Sequence, residues 1–183
     1  MTETPREHSM VWWFLRTYGV RIVIGAVLVA ALYGVLCVYM PYQREQRMAR
    51  EIESAGGHVE FEFDGPNWIP MLVQNRLPIW NRITTVGLRN TQVTDAGLLH
   101  LTGVTKLNVL DLDNTQVTDA GLSHLKGLTK LEWLYLHNTQ VTDAGLLHLK
   151  GLTKLLSVSL KNTHTTVEGR ESLLRNYDMT PVP

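Results

Sequence analysis

The chain has 183 residues, 44% of them apolar and 19% charged, a composition that excludes wholesale disorder. Lys+Arg and Asp+Glu are both 17, so the net charge is zero and a nucleic-acid partner is not expected. A single cysteine excludes an internal disulfide framework and a cysteine-built zinc site.

That balance hides two different segments. Residues 1–50 carry six Arg and three Glu, whereas residues 51–183 carry eleven Lys/Arg and fourteen Asp/Glu, and all six Lys lie at or after Lys106. After a tail and interfacial segment over 1–21, Ile22–Met40 runs nineteen residues without a charge. As a helix it would extend roughly 28 Å, about one hydrocarbon core. Arg21 bounds it on one side; Pro41, Arg44, Arg47 and Arg50 bound it on the other. Trp12, Trp13, Phe14 and Tyr18 precede it and Tyr39 and Tyr42 close it, as headgroup-level rings do. The expectation is one transmembrane helix over 22–40, uncleaved, as in a signal anchor. Three Arg stand on each side, so the positive-inside rule ties. The short tail favours placing the rest of the chain outside the cytoplasm, and a cytoplasmic adapter stays open.

Residues 41–57 read as a juxtamembrane helical linker, rich in helix formers and ended by Gly56-Gly57. His58–Phe63 alternates polar and apolar residues, which predicts a capping strand. The apolar stretch to Arg82 holds two prolines and two tryptophans. It would either cover the open end of a core or touch a bilayer surface. Together 58–82 form an N-terminal cap.

From residue 83 a period of 24 takes over. Thr91–Gly97 (TQVTDAG) recurs at Thr115–Gly121 and Thr139–Gly145, and a decayed copy starts at Thr163. Three columns keep register: Ile83, Leu107, Leu131, Leu155; Val86, Leu110, Leu134, Val158; and Leu88, Leu112, Leu136, Leu160. The consensus LxxLxLxNTxVTDAGLxHLxGLTK predicts a short strand and a short helix per coil, each coil burying its apolar faces against the next. Thr118 suits an N-cap and Asp119 suits the positive end of the following helix. In the fourth coil Arg170 and Asn176 replace inward residues of the earlier copies while Leu173 persists, so 83–176 is the repeat domain and 177–183 a flexible tail.

On these residues the chain resembles the leucine-rich-repeat superfamily. Its TxVTDAGLxxL unit is similar to bacterial repeats of the cysteine-containing, ribonuclease-inhibitor-like class. The resemblance covers about Ile83–Leu173 and implies an α/β fold: a short right-handed solenoid with a parallel concave sheet and convex helices. It also implies a protein-binding scaffold and no particular activity. One departure is that Thr91, Thr115, Thr139 and Thr163 stand where the turn ladder usually has Asn or Cys.

Alternation places Arg89, Asp111, Asp113, Trp133, Tyr135, His137 and Lys161 outward on the concave face. These positions differ in every copy while the buried ladder does not. Two large amphipathic rings among charges form a candidate site for a protein or peptide. A solvated face that nothing constrains would also vary in this way. His100, His124 and His148 recur at the coil period, which duplication alone explains, so no metal is expected. No nucleophile, base and orienter stand together in the sequence, and neither catalysis nor a cofactor is expected. The reading is therefore a non-catalytic, membrane-anchored binding module. A structural envelope component, or an accessory subunit recruiting substrate to a partner enzyme, is the alternative. Four coils make a small sheet, with which self-association is compatible.

Overall fold

The computed structural model describes residue 21, residues 23–67 and residues 80–177. The expectations for the N-terminal tail, for residues 68–79 of the apolar stretch and for the final six residues lie outside these.

Two compact units divide the chain, Met1–Pro41 and Tyr42–Pro183. In the first, residues 23–34 form helix α1 and Val35–Tyr39 forms a π-helical turn, after which α2 (Met40–Ser54) begins. The apolar run expected as one transmembrane helix over 22–40 is helical at its described residues, with the wider π turn lying within it. Among the described residues no helix is long and apolar enough to cross a membrane. The large α1 side chains, Val27, Leu28 and Leu32 among them, are exposed.

The second unit is a stack of coils. Its sheet has the order β1 (His58–Phe63), β2 (Asn81–Gly87), β3 (Val109–Asp111), β4 (Trp133–Tyr135), β5 (Ser157–Ser159). Strands β2 to β5 are parallel, with Val86, Leu110, Leu134 and Val158 in one row. Helices α3 (Asp95–Leu98), α4 (Asp119–Leu122), α5 (Asp143–Leu149) and α6 (Val167–Asn176) return each coil to the next strand. Thr118 and Thr142 cap α4 and α5, accepting from Ala120 N–H and Ala144 N–H at 3.3 and 3.2 Å.

The three apolar columns and the helix leucines close into one core, with Leu110, Leu122, Leu125 and Leu136 fully buried. Each such leucine contributes about 1.5–3 kcal/mol relative to exposure. Helix α2, expected as a linker, belongs to this core. Met48, Ala49 and Ile52 recur at helical spacing and are buried in it. Glu45 on the same face is buried too and accepts Ile83 N–H at 3.0 Å. Desolvation pushes its carboxyl above the ordinary range, against the pull of that hydrogen bond. Gly56 ends α2 at φ 84°. A side chain on Gly57 would come within 2.8 Å of Gly87 O, so only glycine fits where the chain turns into β1.

The turn after each strand carries two ladders. Thr91, Thr115, Thr139 and Thr163 each donate to the carbonyl three residues back, at 2.6–2.8 Å. The preceding asparagines, Asn90, Asn114, Asn138 and Asn162, adopt left-handed φ between 51° and 60°. Their side chains form a second ladder, in which Asn114, Asn138 and Asn162 each donate to the asparagine of the previous coil at 2.6–2.8 Å.

Asp95, Asp119 and Asp143 do more than start helices. Each carboxylate reaches forward one coil: Asp119 accepts Thr142 N–H at 2.7 Å and Thr142 Oγ1–H at 2.6 Å, and the pairs Asp95–Thr118 and Asp143–Thr166 repeat this. At the last coil Arg170 donates to Thr165 Oγ1 and O at 2.9 and 3.0 Å, replacing an apolar contact with a polar cap.

Candidate protein-binding face

Strand register builds the open face of the sheet row by row. One row reads Glu60, Thr85, Val109, Trp133, Ser157 and the next His58, Gly87, Asp111, Tyr135, Ser159. Trp133 stands on β4 with 40% of its surface exposed, and Tyr135 is half-buried beside it. Asp111 and Tyr135 are direct cross-strand neighbours, close enough for their side chains to interact. Glu60 and His58 were not among the residues singled out from sequence. They reach this face because β1 pairs antiparallel with β2, and they approach each other to 3.5 Å. The signal was present as the HVEFEF alternation, but the strand is not a repeat copy and its partner could not be read from the period.

Asp113 departs from the expectation that it faces outward: it is only 2% exposed. Strand β3 ends at Asp111, so the two-residue alternation no longer governs Asp113, which has entered the turn. Its Oδ1 accepts His137 N–H at 2.7 Å, and its Oδ2 lies 3.4 Å from Arg89 and 3.7 Å from His137 Nδ1. Asp111 Oδ1 in turn accepts Asp113 N–H at 2.9 Å. Arg89, Asp111, Asp113 and His137 therefore form one network across three coils, and His137 Nε2 hydrogen-bonds Ser159 Oγ. Lys161 is exposed and lies outside this network; Trp133 and Tyr135 stand beside it.

The contact order Ser159, His137, Asp113 imitates a hydrolytic triad. Two features separate it from one. Asp113 divides its charge between Arg89 and a backbone N–H, with the imidazole at ion-pair rather than hydrogen-bond distance. Ser159 sits within a strand whose backbone N–H groups lie in the plane of the sheet, so β5 aims no oxyanion donors above it.

On the opposite face, His124 and His148 are half-buried and His100 is exposed, 3.8 Å from Glu51. Among the described residues no group of three His, Cys, Asp or Glu side chains is placed to hold a metal ion.

No family model matches this chain, and no curated protein matches it. Among solved structures it is similar to an internalin from Listeria monocytogenes, at 22% identity over 55% of this chain and 35% of that one, with a TM-score of 0.38. The chain spans about a third of that internalin's length, and no residue here takes a role from it. What the geometry defines is a mixed α/β stack of 24-residue coils with one open parallel sheet face.

Proposed function

We propose that this protein is a membrane-anchored leucine-rich-repeat module that binds a protein or peptide on its open sheet face, without catalysis. The observation that carries the reading is Trp133, exposed on β4 one strand in from the edge of an ordered face, with Tyr135 beside it and a fixed charged network next to them. Solvent-facing tryptophan adds nothing to this core, whereas exposed rings on a rigid frame make effective binding anchors. The in-plane backbone N–H groups of β5, none of them aimed above Ser159, support a non-catalytic role. The exposed apolar side chains of α1 support anchoring, since hydrocarbon would cover what no described residue covers.

The test is a detergent pull-down of the full chain beside Trp133→Ala/Tyr135→Ala, read by mass spectrometry. A protein retained by the native chain and lost by the double variant is the expected result. Identical protein sets from both chains would refute the face as a binding site. Resistance to alkaline carbonate extraction tests the anchor, and protease accessibility in sealed vesicles tests the side.

A further inference from the structure

The two edges of the repeat sheet differ in charge. The edge after the strands carries the neutral Asn ladder and the Gln116–Gln92 amide pair. The edge before the strands is formed by the turns 102–106, 126–130 and 150–154, and five of the six lysines lie there. Lys106, Lys126, Lys130, Lys150 and Lys154 are all exposed. Lys126 and Lys150 occupy equivalent places in adjacent coils, as do Lys130 and Lys154, so like charges repeat at coil spacing and repel one another. Lys106 is paired with Asp64 at 2.9 Å. The other four have no carboxylate in ion-pair contact among the described residues. The one acid that the adjoining stretches carry is the half-buried Glu132.

Two independent features meet the same edge. The start of α2 within the repeat unit is fixed there, with Arg44 donating to Thr102 O at 2.7 Å and Glu45 accepting from Ile83. In sequence, Arg44 follows the apolar run by only a few residues. The base of the apolar stretch closes there as well, through Asp64 N–H to Trp80 O at 2.9 Å, beside the Phe63–Trp80 edge-on ring pair. Thus the unneutralised lysines, the Arg44 and Glu45 contacts at the start of the repeat unit, and the base of the stretch closed by Asp64 and Trp80 share one side of the domain.

The geometry points to this edge as a docking surface for an anionic bilayer: Lys126, Lys130, Lys150 and Lys154 lie against lipid phosphates while the binding face stays open beside the membrane. Each lysine held near an anionic surface strengthens docking about fivefold. The inference rests on the membrane reading above, and the experiment separates the two. The full chain is placed in nanodiscs of phosphatidylcholine alone, or with about one-third phosphatidylglycerol. The acetylation rate of each lysine is then read by mass spectrometry.

The four lysines should acetylate about fivefold more slowly on the anionic discs, with Lys161 unchanged and the difference lost in about 1 M salt, where screening is nearly complete. Equal rates on both lipids overturn the inference. Protection by added RNA but not by anionic lipid also overturns it and assigns the edge to nucleic acid. If carbonate extracts the chain from vesicles, the anchor fails by itself. Lysine protection on anionic discs mixed at low salt then still supports the edge, and its absence overturns it.

Discussion

Replacing Asp119 with Ala tests whether carboxylates, more than helix starts, hold neighbouring coils together. Asp119 accepts from both the backbone N–H and the hydroxyl of Thr142, at 2.7 and 2.6 Å, across the joint between the coils of β3 and β4. Alanine removes both bonds and leaves the partly buried Thr142 N–H without an acceptor. Hydrogen bonds to a charged group contribute about 1.5–3 kcal/mol each, and an orphaned donor has a similar cost. The two bonds together set an expected loss of about 3–6 kcal/mol. Asp119→Asn keeps one acceptor oxygen and one polar neighbour, so its loss should be about half as large. Asp143→Ala removes the same pair of bonds at a more exposed joint and should cost less than Asp119→Ala. Urea unfolding of the full chain in detergent, followed by far-UV circular dichroism and by Trp fluorescence, measures all three. A helix-start role alone would give Ala a cost of about 0.3–1 kcal/mol. An Asp119→Ala loss below about 1 kcal/mol, or one equal to that of Asp119→Asn, would refute the inter-coil staple.

Other residues give sharp contrasts. Glu45 has its carboxyl pKa raised by burial, so the stability it contributes is full below its unfolded pKa and is lost as pH rises through the folded value. Glu45→Gln, which can still accept from Ile83, should therefore gain on the native chain as pH rises from about 4 to 7; parallel stability curves would remove the argument. Asn114 holds φ 55° and a place in the side-chain ladder. Asn114→Ala should cost about 1–2 kcal/mol more than Asn114→Gly in thermal unfolding, because only glycine accepts that backbone freely. Equal costs would show that the ladder, and not the left-handed turn, selects asparagine.

The core was legible in the sequence because burial is enforced at every coil. Ile83, Leu107 and Leu131 recur at 24 and are all fully buried. The polar ladders were harder to read, since a recurring polar residue looks the same whether it is solvated or stacked. Asn90, Asn114 and Asn138 recur as strictly as the leucines. Their left-handed turn is a conformation that asparagine tolerates better than most residues, and that was the available signal. The aspartates were read locally, as helix starts, because sequence proximity shows α4 but not the Thr142 that follows one coil later.

The candidate face shows the same limit from the other side. Alternation placed Trp133 and Tyr135 correctly because both lie inside β4. It failed at Asp113 because the strands are three residues long and the pleat stops before that position. The failure changes what the face offers a partner. A free Asp113 would have presented charge; a buried one instead fixes His137 from the previous coil and pairs with Arg89, which stays exposed. The side chains that stay accessible on the candidate face include Trp133, Tyr135, Arg89 and Lys161, with Glu60 and His58 on β1. Burying Asp113 thus leaves the two rings of β4 braced by a fixed charged network, with Glu60 on β1 at one side and Lys161 at the other. A partner matched to it would place apolar surface over β4 and basic groups over β1.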